Sequence, residues 1–395
     1  MKIRRLTALQ LPVELRKPVR HASHERTANE TLIIRCELAD GSVGWGEGLP
    51  RTYVTGDSME SVWRHLQETD FVRLAGGEFV SPVEAARAAS QFPLANVEPD
   101  PGVTVRECFG NPVRCALEVA IVDAVCRSTG ISVGDLIVQL ASASPLIQQS
   151  SEVRYSGAVT SMSPRKQWIS ALKMRIFGFP MVKVKIGTDG ISDVDCLRRV
   201  RRVVGSGVDL RLDANEAWRC EDVVRYMQPL LPFGPTSLEQ PVPHADVSGL
   251  NEVRRALPTP IMLDESLCCQ EDAERAIAGE WCDLFNIRLS KCGGLVRSVE
   301  LAEMARSAGL GFQLGCQVGE TAILSAAGRH FACNLGPIRY IEGSFDRFLV
   351  RDAYSHEDIT FRYGGRGPRL NGPGLGITIR ESAILSAARK KIELL

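Results

Sequence analysis

Ionisable residues recur at a nearly constant spacing through the middle of the chain, and this spacing constrains the fold more than any other feature. Short polar motifs interrupt apolar runs at MVKVKIG, LRLDANE, TSLEQP, IMLDES and LSKCGG. Their key residues are Lys185, Asp213, Glu239, Asp264 and Lys291, separated by 28, 26, 25 and 27 residues. One strand, one helix and two short loops need about 30 residues. Each motif therefore marks the same end of one strand in a repeating strand–helix unit.

The alternation of strands and helices extends well beyond these five motifs. Apolar runs predict strands near residues 154–160, 181–186, 208–213, 236–239, 260–264, 283–288, 311–315 and 338–342, with helical patterns between them. Eight such units predict an α/β fold, a modified (β/α)8 TIM-type barrel, whose active site lies at the carboxyl ends of the strands. We expect residues 150–350 to form this catalytic barrel.

The flanking segments have a different pattern. Residues 1–48 alternate apolar and polar side chains and include a hairpin turned at Asp40-Gly41, and helical patterns follow at 57–68, 82–91 and 112–128. Strands followed by helices predict an α+β capping domain at residues 1–130, completed by the Gly- and Pro-rich segment 355–395. The segment from Val13 to Asn29 reads as a long connection, which is typical of a binding loop.

Composition excludes several classes of protein. The formal net charge is zero and no block of like charges occurs, so we expect no binding to nucleic acid or to an anionic membrane. The chain contains no run of 18 apolar residues, so no membrane helix is predicted. The 12 cysteines are scattered without a CxxC pair, which is typical of free thiols rather than of a zinc site or a disulfide scaffold. A cytoplasmic protein is expected.

The lysines of the first motif have two readings. Val182, Val184 and Ile186 share one face of a strand, and Lys183 and Lys185 share the other. Alternating lysines commonly form a solvated face of an antiparallel sheet. In a barrel strand, however, one face packs on helices and the other fills the interior. Inward lysines must then be paired or functional.

The three carboxylates point to a metal only when they are taken together. Singly, Asp213 and Asp264 could be helix N-caps, and Glu239 could be a turn residue. Three strand-end carboxylates in consecutive units would repel one another unless a cation neutralised them. Ligation by oxygen alone suits Mg²⁺, with Mn²⁺ as a possible substitute.

Two lysines beside such a metal have a natural chemical task. A carbon acid next to a carboxylate is very weakly acidic, so the enolate must be stabilised as it forms, and a metal ion can do this. Neighbouring cations lower the pKa of a lysine toward the range where it acts as a base. The residues therefore predict abstraction of a proton α to a carboxylate.

The motifs KxK, DAN, EQP, DES and SKCGG, with GWGEG near 44–48 and GPGLG near 372–376, resemble the enolase superfamily, specifically its muconate-lactonising-enzyme subgroup. The resemblance implies that Asp213, Glu239 and Asp264 are Mg²⁺ ligands. It implies that Lys185 and Lys291 are acid/base groups on opposite faces of the substrate, with Lys183 assisting electrostatically.

The resemblance also bears on the substrate. The seventh-strand stretch GFQLGCQVGE lacks the histidine of the mandelate-racemase subgroup, and it places Glu320 near the substrate. TYVTGDS and NIRLSKCGG resemble dipeptide epimerases. Those enzymes carry Asp-x-Asp at the eighth strand, where this chain has Ile341-Glu342-Gly343-Ser344, so Glu342 is the expected binder of a substrate cation. The predicted contacts from the capping domain are His21, His24, Arg26 and Tyr53.

We therefore expect a Mg²⁺-dependent isomerase that acts through a metal-stabilised enediolate. The first hypothesis is a racemase or epimerase of an amino-acid derivative or dipeptide. The alternatives are a muconate-type cycloisomerase, an o-succinylbenzoate synthase and, from another class, a non-catalytic barrel that binds metal and ligand. The expected partners are a small-molecule carboxylate and, from the resemblance, further copies of the same chain in a homo-oligomer.

Overall fold

The computed structural model describes residues 1–20, 25–142, 144–160 and 163–395, without the side chains of residues 19, 20, 25, 26 and 75. His21, His24 and the Arg26 side chain, which the sequence predicts as substrate contacts, therefore lie outside the described residues.

Strands and short helices alternate along most of the described chain. The strands are β1 (Ile3–Arg20), β2 (Glu25–Leu38), β3 (Val43–Gly48), β4 (Glu152–Arg154), β5 (Gly157–Val159), β6 (Met181–Lys185), β7 (Asp209–Asp213), β8 (Pro235–Glu239), β9 (Ile261–Leu263), β10 (Leu284–Ile287), β11 (Gly311–Leu314), β12 (Arg366–Pro368) and β13 (Lys390–Glu393). The helices are α1 (Met59–Glu68), α2 (Val72–Ala75), α3 (Pro82–Ser90), α4 (Asn111–Thr129), α5 (Val133–Leu140), α6 (Pro164–Ile176), α7 (Asp193–Val204), α8 (Val223–Met227), α9 (Leu250–Ala256), α10 (Gln270–Ala278), α11 (Leu289–Cys292), α12 (Leu295–Ser307), α13 (Ala322–Asn334), α14 (Asp346–Leu349) and α15 (Glu381–Ala387).

An antiparallel sheet in the order β13-β1-β2-β3 packs against α4, and we call these five elements the cap layer. The GWGEG motif on β3 makes this packing possible. A Cβ atom on Gly46 would lie 1.9 Å from the carbonyl oxygen of Ala116 on α4. Only glycine allows the strand and the helix to approach so closely.

The prediction of a long connection from Val13 to Asn29 is wrong. β1 and β2 continue through this segment as a hairpin, paired from Val13 and Asn29 to Arg20 and Glu25, with a register shift between Glu14 and Val19. Val13 and Leu15 are buried and alternate with exposed Glu14 and Arg16. The apolar pattern stops after Leu15, because the described side chains at 16–18 and 27–28 are exposed, so the sequence gives no sign that the strands continue.

The second sheet is parallel, in the order β11-β10-β9-β8-β7-β6-β5, and it confirms the predicted α/β barrel fold. The eighth position is not a full strand as predicted, because the segment near Ile341 forms only an isolated bridge to Leu314. It still closes the ring. Glu342 N–H donates to Leu314 O at 2.8 Å, and Ser156 N–H, just before β5, donates to Ile341 O at 2.8 Å.

The end of the chain returns to the cap layer. β13 pairs with β1, and the N–H of Leu375 donates to the buried carboxylate of Asp123 on α4 at 2.8 Å. The division into 1–130 with 355–395 and 150–350 stays a prediction that these contacts support. No helix in the described ranges is long and apolar enough to cross a membrane.

Candidate active site

The register of the parallel sheet brings the motif residues side by side. Lys185 pairs with Asp213 across β6 and β7, and Asp213 pairs with Glu239 across β7 and β8. Glu239 pairs with Met262, so Asp264 follows directly after β9 at the same edge. The constant spacing seen in the sequence thus becomes a row of charged groups at the carboxyl ends of neighbouring strands.

A cavity of about 360 Å³ opens above this row. It is lined by charged, polar and apolar residues from the barrel together with Arg51, Tyr53 and Val54 of the segment that follows β3. The charged residues on its wall are Arg51, Lys183, Lys185, Asp213, Glu265, Arg288, Glu320 and Glu342. The cavity therefore offers both signs of charge to a small ligand.

Lys183 joins three carboxylates within the barrel. Its Nζ lies 3.1 Å from Asp213 Oδ2, 3.4 Å from Glu239 Oε2 and 2.9 Å from Glu342 Oε1. Burial would lower the pKa of Lys183, but the charges of Glu239, Glu342 and Asp213 together raise it well above its usual value. Lys183 is therefore a fixed positive charge and a poor base.

Glu342 is also neutralised from a second side. The fully buried Arg211 donates from Nη2 to Glu342 Oε1 at 2.9 Å and from Nη1 to Gln313 Oε1 at 2.5 Å. Burial opposes ionisation of Glu342, but Lys183 and Arg211 outweigh it and lower its pKa to about 2. The predicted substrate contact lines the cavity as a carboxylate that already has two cationic partners.

Lys185 and Lys291 have different surroundings. Burial lowers the pKa of Lys185, although the charge of Asp213 opposes this effect. Lys291, in α11 after β10, donates from Nζ to Asp264 O at 2.5 Å and Oδ1 at 2.6 Å. Burial would lower its pKa too, but Asp264 raises it. Lys185 lines the cavity, whereas Lys291 is fully buried and does not line it.

Arg288 lines the cavity and was not singled out from the sequence. Its Nη2 contacts Asp264 Oδ2 and lies 3.6 Å from Glu239 Oε1. The cations Arg288 and Lys291 lower the pKa of Asp264 in spite of its burial. The motif NIRLSKCGG contains Arg288 as a cation three residues before the lysine. The role of this arginine could not be inferred there, because its partners Asp264 and Glu239 lie at the ends of other strands of the barrel.

Glu265 was also missed. It follows Asp264, lines the cavity and is almost fully buried. Burial, followed by the charge of Asp264, raises its pKa well above the usual value. The signal was the second carboxylate of the LDES motif, which the sequence reading passed over.

The three predicted metal ligands fit a hard divalent cation in their chemistry. Asp213, Glu239 and Asp264 are buried and offer only oxygen donors. Burial raises the pKa of Glu239 to about 8, and neighbouring carboxylates add to this effect while Lys183 opposes it. The group therefore requires positive charge to hold all of its carboxylates ionised. In this structure the ammonium of Lys183 and the guanidinium of Arg288 supply that charge.

The geometry differs from a closed ligand set. Within the described part of the chain, oxygen atoms of these three residues do not all come within 4.8 Å of one another, and the group that does meet this distance is Glu107, Cys269 and Asp272. Those last carboxylates are paired with Arg275 and Arg106. Glu107 is exposed and Asp272 is buried, and their arginine partners already balance both charges.

The remaining predicted contacts lie on the same cavity. Glu320 lines its wall and accepts from the N–H of Gln317 at 2.7 Å. Burial raises the pKa of Glu320 to about 8, in spite of that hydrogen bond. Tyr53 lines the wall from the segment after β3. Both residues are placed where they could touch a ligand, and their roles stay predictions.

A model of the family described as "Enolase C-terminal domain-like" matches residues 169–383. The chain belongs to this enolase family. The match covers the barrel from α6 onward, including all the strands that carry the motif residues. It confirms the resemblance inferred from the sequence.

Known members of the enolase superfamily extend the likeness to the whole chain. The chain is 29% identical to the L-Ala-D/L-Glu epimerase of Bacillus subtilis over 381 residues, which cover 95% of this chain and 97% of the relative. It is 26% identical to muconate cycloisomerase 1 of Rhodococcus opacus over 386 residues, covering 96% of each.

Solved structures agree on the fold. A substrate-liganded complex of the Bacillus subtilis epimerase superposes with a TM-score of 0.82 at 28% identity, covering 95% of this chain and 99% of that chain. The dipeptide epimerase from Cytophaga hutchinsonii, complexed with Mg and the dipeptide D-Ala-L-Val, gives 0.84 at 24% identity, with both chains fully covered. The second likeness shows the fold alone.

Proposed function

We propose that this enolase-family protein is a Mg²⁺-dependent racemase or epimerase that inverts the α-carbon of an amino-acid derivative or dipeptide. One observation carries the proposal. Lys185 ends β6 and Lys291 follows β10, with β7, β8 and β9 between them. In a ring of eight positions, strands four places apart lie on opposite sides of the mouth. Two lysines so arranged can address opposite faces of one carbon atom.

Asp213, Glu239 and Asp264 would hold the metal ion. Bound there, Mg²⁺ would supply the positive charge that stabilises a substrate carboxylate as its α-proton leaves. The donor chemistry supports Mg²⁺, and Mn²⁺ is a possible substitute. The Mg²⁺ in the Cytophaga hutchinsonii complex belongs to a protein of the same fold.

The lysines divide the remaining work. The carboxylates around Lys183 keep it protonated, so it supplies charge to the substrate carboxylate and does not carry the proton. Burial makes Lys185 easier to deprotonate, which suits a base on one face. Lys291 comes from the opposite side of the ring, and in this structure its ammonium donates to the carboxylate of Asp264 at 2.6 Å.

Glu342 helps to choose among substrates. A dipeptide carries a free ammonium that needs an unpaired carboxylate, but Glu342 is already paired with Lys183 and Arg211. This pairing favours an amino-acid derivative with an acylated nitrogen over a dipeptide. It also suits the substrate of a muconate-type cycloisomerase, which has no amino group and is the second candidate.

Isotope exchange in D₂O tests the proposal. Wild-type protein with Mg²⁺ would be incubated with single enantiomers of N-succinyl-arginine and N-succinyl-lysine, with the epimers of Ala-Glu, and with cis,cis-muconate. We expect deuterium at the α-carbon of both enantiomers of one amino-acid probe. In Lys291→Ala, racemisation should fall by about 10²- to 10⁴-fold, while Lys185 still exchanges one enantiomer. Lys185→Ala should exchange only the other.

Two results would contradict this function. Conversion of muconate by the wild type, with no exchange of any amino-acid probe, would establish the cycloisomerase instead. Binding of Mg²⁺ without exchange or conversion of any probe would favour a non-catalytic binding barrel. The expected homo-oligomer and cytoplasmic location stay predictions beside this proposal.

A further inference from the structure

One side chain of the cap layer is attached to both loops that carry the inner charged groups of the site. Asn111, the first residue of α4, is fully buried. Its Nδ2 donates to Cys268 O at 2.9 Å and to Lys291 O at 2.8 Å. Cys268 lies in the loop that begins with Asp264, and Lys291 lies in α11. A single amide therefore sets the separation between the loop after β9 and the short helix α11.

The side chain of Lys291 also connects α11 with the loop after β9. Its ammonium donates to the carbonyl and the carboxylate of Asp264, at 2.5 and 2.6 Å. The backbone and the side chain of this lysine are thus each tied to the loop after β9, the backbone through Asn111 and the side chain through Asp264. Asn111 does not line the cavity, so it can act on the site only through the residues that it contacts. Its Oδ1 also accepts a long bond of 3.5 Å from Arg297 Nη1.

The SKCGG motif is shaped to receive this side chain. Gly293 has φ of +86°, and a Cβ atom there would lie 2.9 Å from Asn111 Oδ1. On the other side of Lys291, Ser290 Oγ accepts from the N–H of Leu49 at 2.8 Å. The cap layer and the residue after β3 therefore hold the lysine-bearing turn at two successive residues, Ser290 and Lys291.

We propose that Asn111 is the positioning residue for Lys291 in proton transfer. This inference rests on the proposed function, in which Lys291 serves one face of the α-carbon and Lys185 the other. Displacement of a reacting group by about 1 Å can cost 10²-fold in rate. Removal of Asn111 releases two buried carbonyls and the turn that they fix, whereas Lys185, on β6, shares none of these contacts. The rate of proton transfer should therefore fall on only one face of the substrate.

The experiment compares the two faces within one variant. Asn111→Ser and Asn111→Ala would be assayed with Mg²⁺ in D₂O on both enantiomers of the probe that the wild type exchanges. We expect exchange on the Lys291 face to fall by about 10- to 100-fold, with exchange on the Lys185 face nearly unchanged. Glu118→Gln is the matched control, since Glu118 is equally buried on α4 but bonds to the backbone N–H groups of Leu295 and Val296 at the start of α12 rather than to the carbonyls of Cys268 and Lys291. It should leave the ratio of the two rates unaltered.

A measurement without substrate separates this inference from the proposed function. Backbone hydrogen exchange should accelerate in residues 289–294 of both Asn111 variants, with residues 181–187 as an internal reference. Unchanged protection of 289–294, or an equal fall in exchange on both faces, would overturn the positioning role. Wild-type protein that exchanges no probe would contradict the proposed function, and the protection of 289–294 would still decide whether Asn111 holds the turn.

Discussion

The carboxylate of Glu118 accepts a hydrogen bond of 2.7 Å from the backbone N–H of Leu295, the first residue of α12. A second bond of 3.1 Å comes from the next N–H. Glu118 lies on α4 of the cap layer, and α12 follows the barrel strand β10. Burial raises the pKa of Glu118 to about 8, although both N–H groups oppose the shift. The junction between cap layer and barrel therefore contains an ionisable group that folding makes harder to ionise.

This junction predicts a dependence of stability on pH. The pKa of Glu118 rises from 4.5 to about 8 on folding, so the folded state binds the extra proton between these values. Its contribution is present below pH 4.5 and is lost as pH rises to about 8. Glu118→Gln cannot ionise. Urea unfolding should show the variant gaining stability relative to wild type between pH 5 and 8.5, by on the order of a few kcal/mol.

The exposed Glu68 of α1 provides the control for this prediction. Glu68→Gln should follow the wild-type pH profile closely. Parallel profiles for wild type and Glu118→Gln would show that Glu118 has a similar pKa in the folded and unfolded states.

Gly294 leaves the space that Glu118 fills. Its φ is +120°, and a Cβ atom there would lie 2.5 Å from Glu118 Oε2. Gly294→Ala should lower the free energy of unfolding by roughly 2–4 kcal/mol, through strain and a displaced carboxylate. Gly190→Ala is the control, because Gly190 also has positive φ but no atom within 4 Å of its would-be Cβ. If the two variants lose equal stability, the contact with Glu118 has no measurable effect.

The sequence could predict the row of charged groups because their positions depend on one repeated unit. A strand and a helix of nearly constant length bring Lys185, Asp213 and Glu239 to neighbouring places, as the parallel register shows. The eighth unit was harder to predict from the sequence, because its apolar pattern near Ile341 resembles that of a full strand. Gly343 and Ser344 take positive φ values of 121° and 52°, and the backbone turns away after one bridge.

The contacts within the site could not be predicted in the same way. Arg211 lies two residues before Asp213 on β7 and so shares its face of the strand, but its partners Glu342 and Gln313 lie more than 100 residues further along the chain. Pairing of this kind depends on barrel closure, which no local pattern encodes. The contact of Arg288 with Asp264 could not be predicted for the same reason. The contacts of Asn111 could not be predicted either, because they depend on how α4 packs against α11.

The buried pair of Arg211 and Glu342 predicts a large stability effect. Arg211 is fully buried and stacks on Tyr340 at 4.4 Å. Arg211→Met keeps most of the volume but leaves Glu342 with one cation and Gln313 without its donor. We expect urea unfolding to show a loss of about 3–5 kcal/mol. Adding Glu342→Gln should recover part of it, because the buried charge is then removed.

An exposed ion pair supplies the comparison for this prediction. Arg198 on α7 pairs with Asp195, and Arg198→Met should change stability little because solvent screens the pair. A loss in Arg211→Met no larger than that of Arg198→Met would mean that Glu342 finds another partner.

The last prediction concerns metal binding through Glu239. Its Oε1 accepts from Asn286 Nδ2 at 2.8 Å, a bond that the amide oxygen of Glu239→Gln can keep, so the fold should survive while one ligand charge is lost. Mg²⁺ at a hundredfold excess over its Kd should stabilise the wild type by about 2.7 kcal/mol, seen as a rise in Tm that EDTA reverses. Glu239→Gln should show a much smaller rise. Glu107→Gln, in the ion-pair network with Asp272, should respond as wild type does. Equal Mg²⁺ responses in wild type and Glu239→Gln would place the metal ion elsewhere, and loss of the response in Glu107→Gln would place it at Glu107, Cys269 and Asp272.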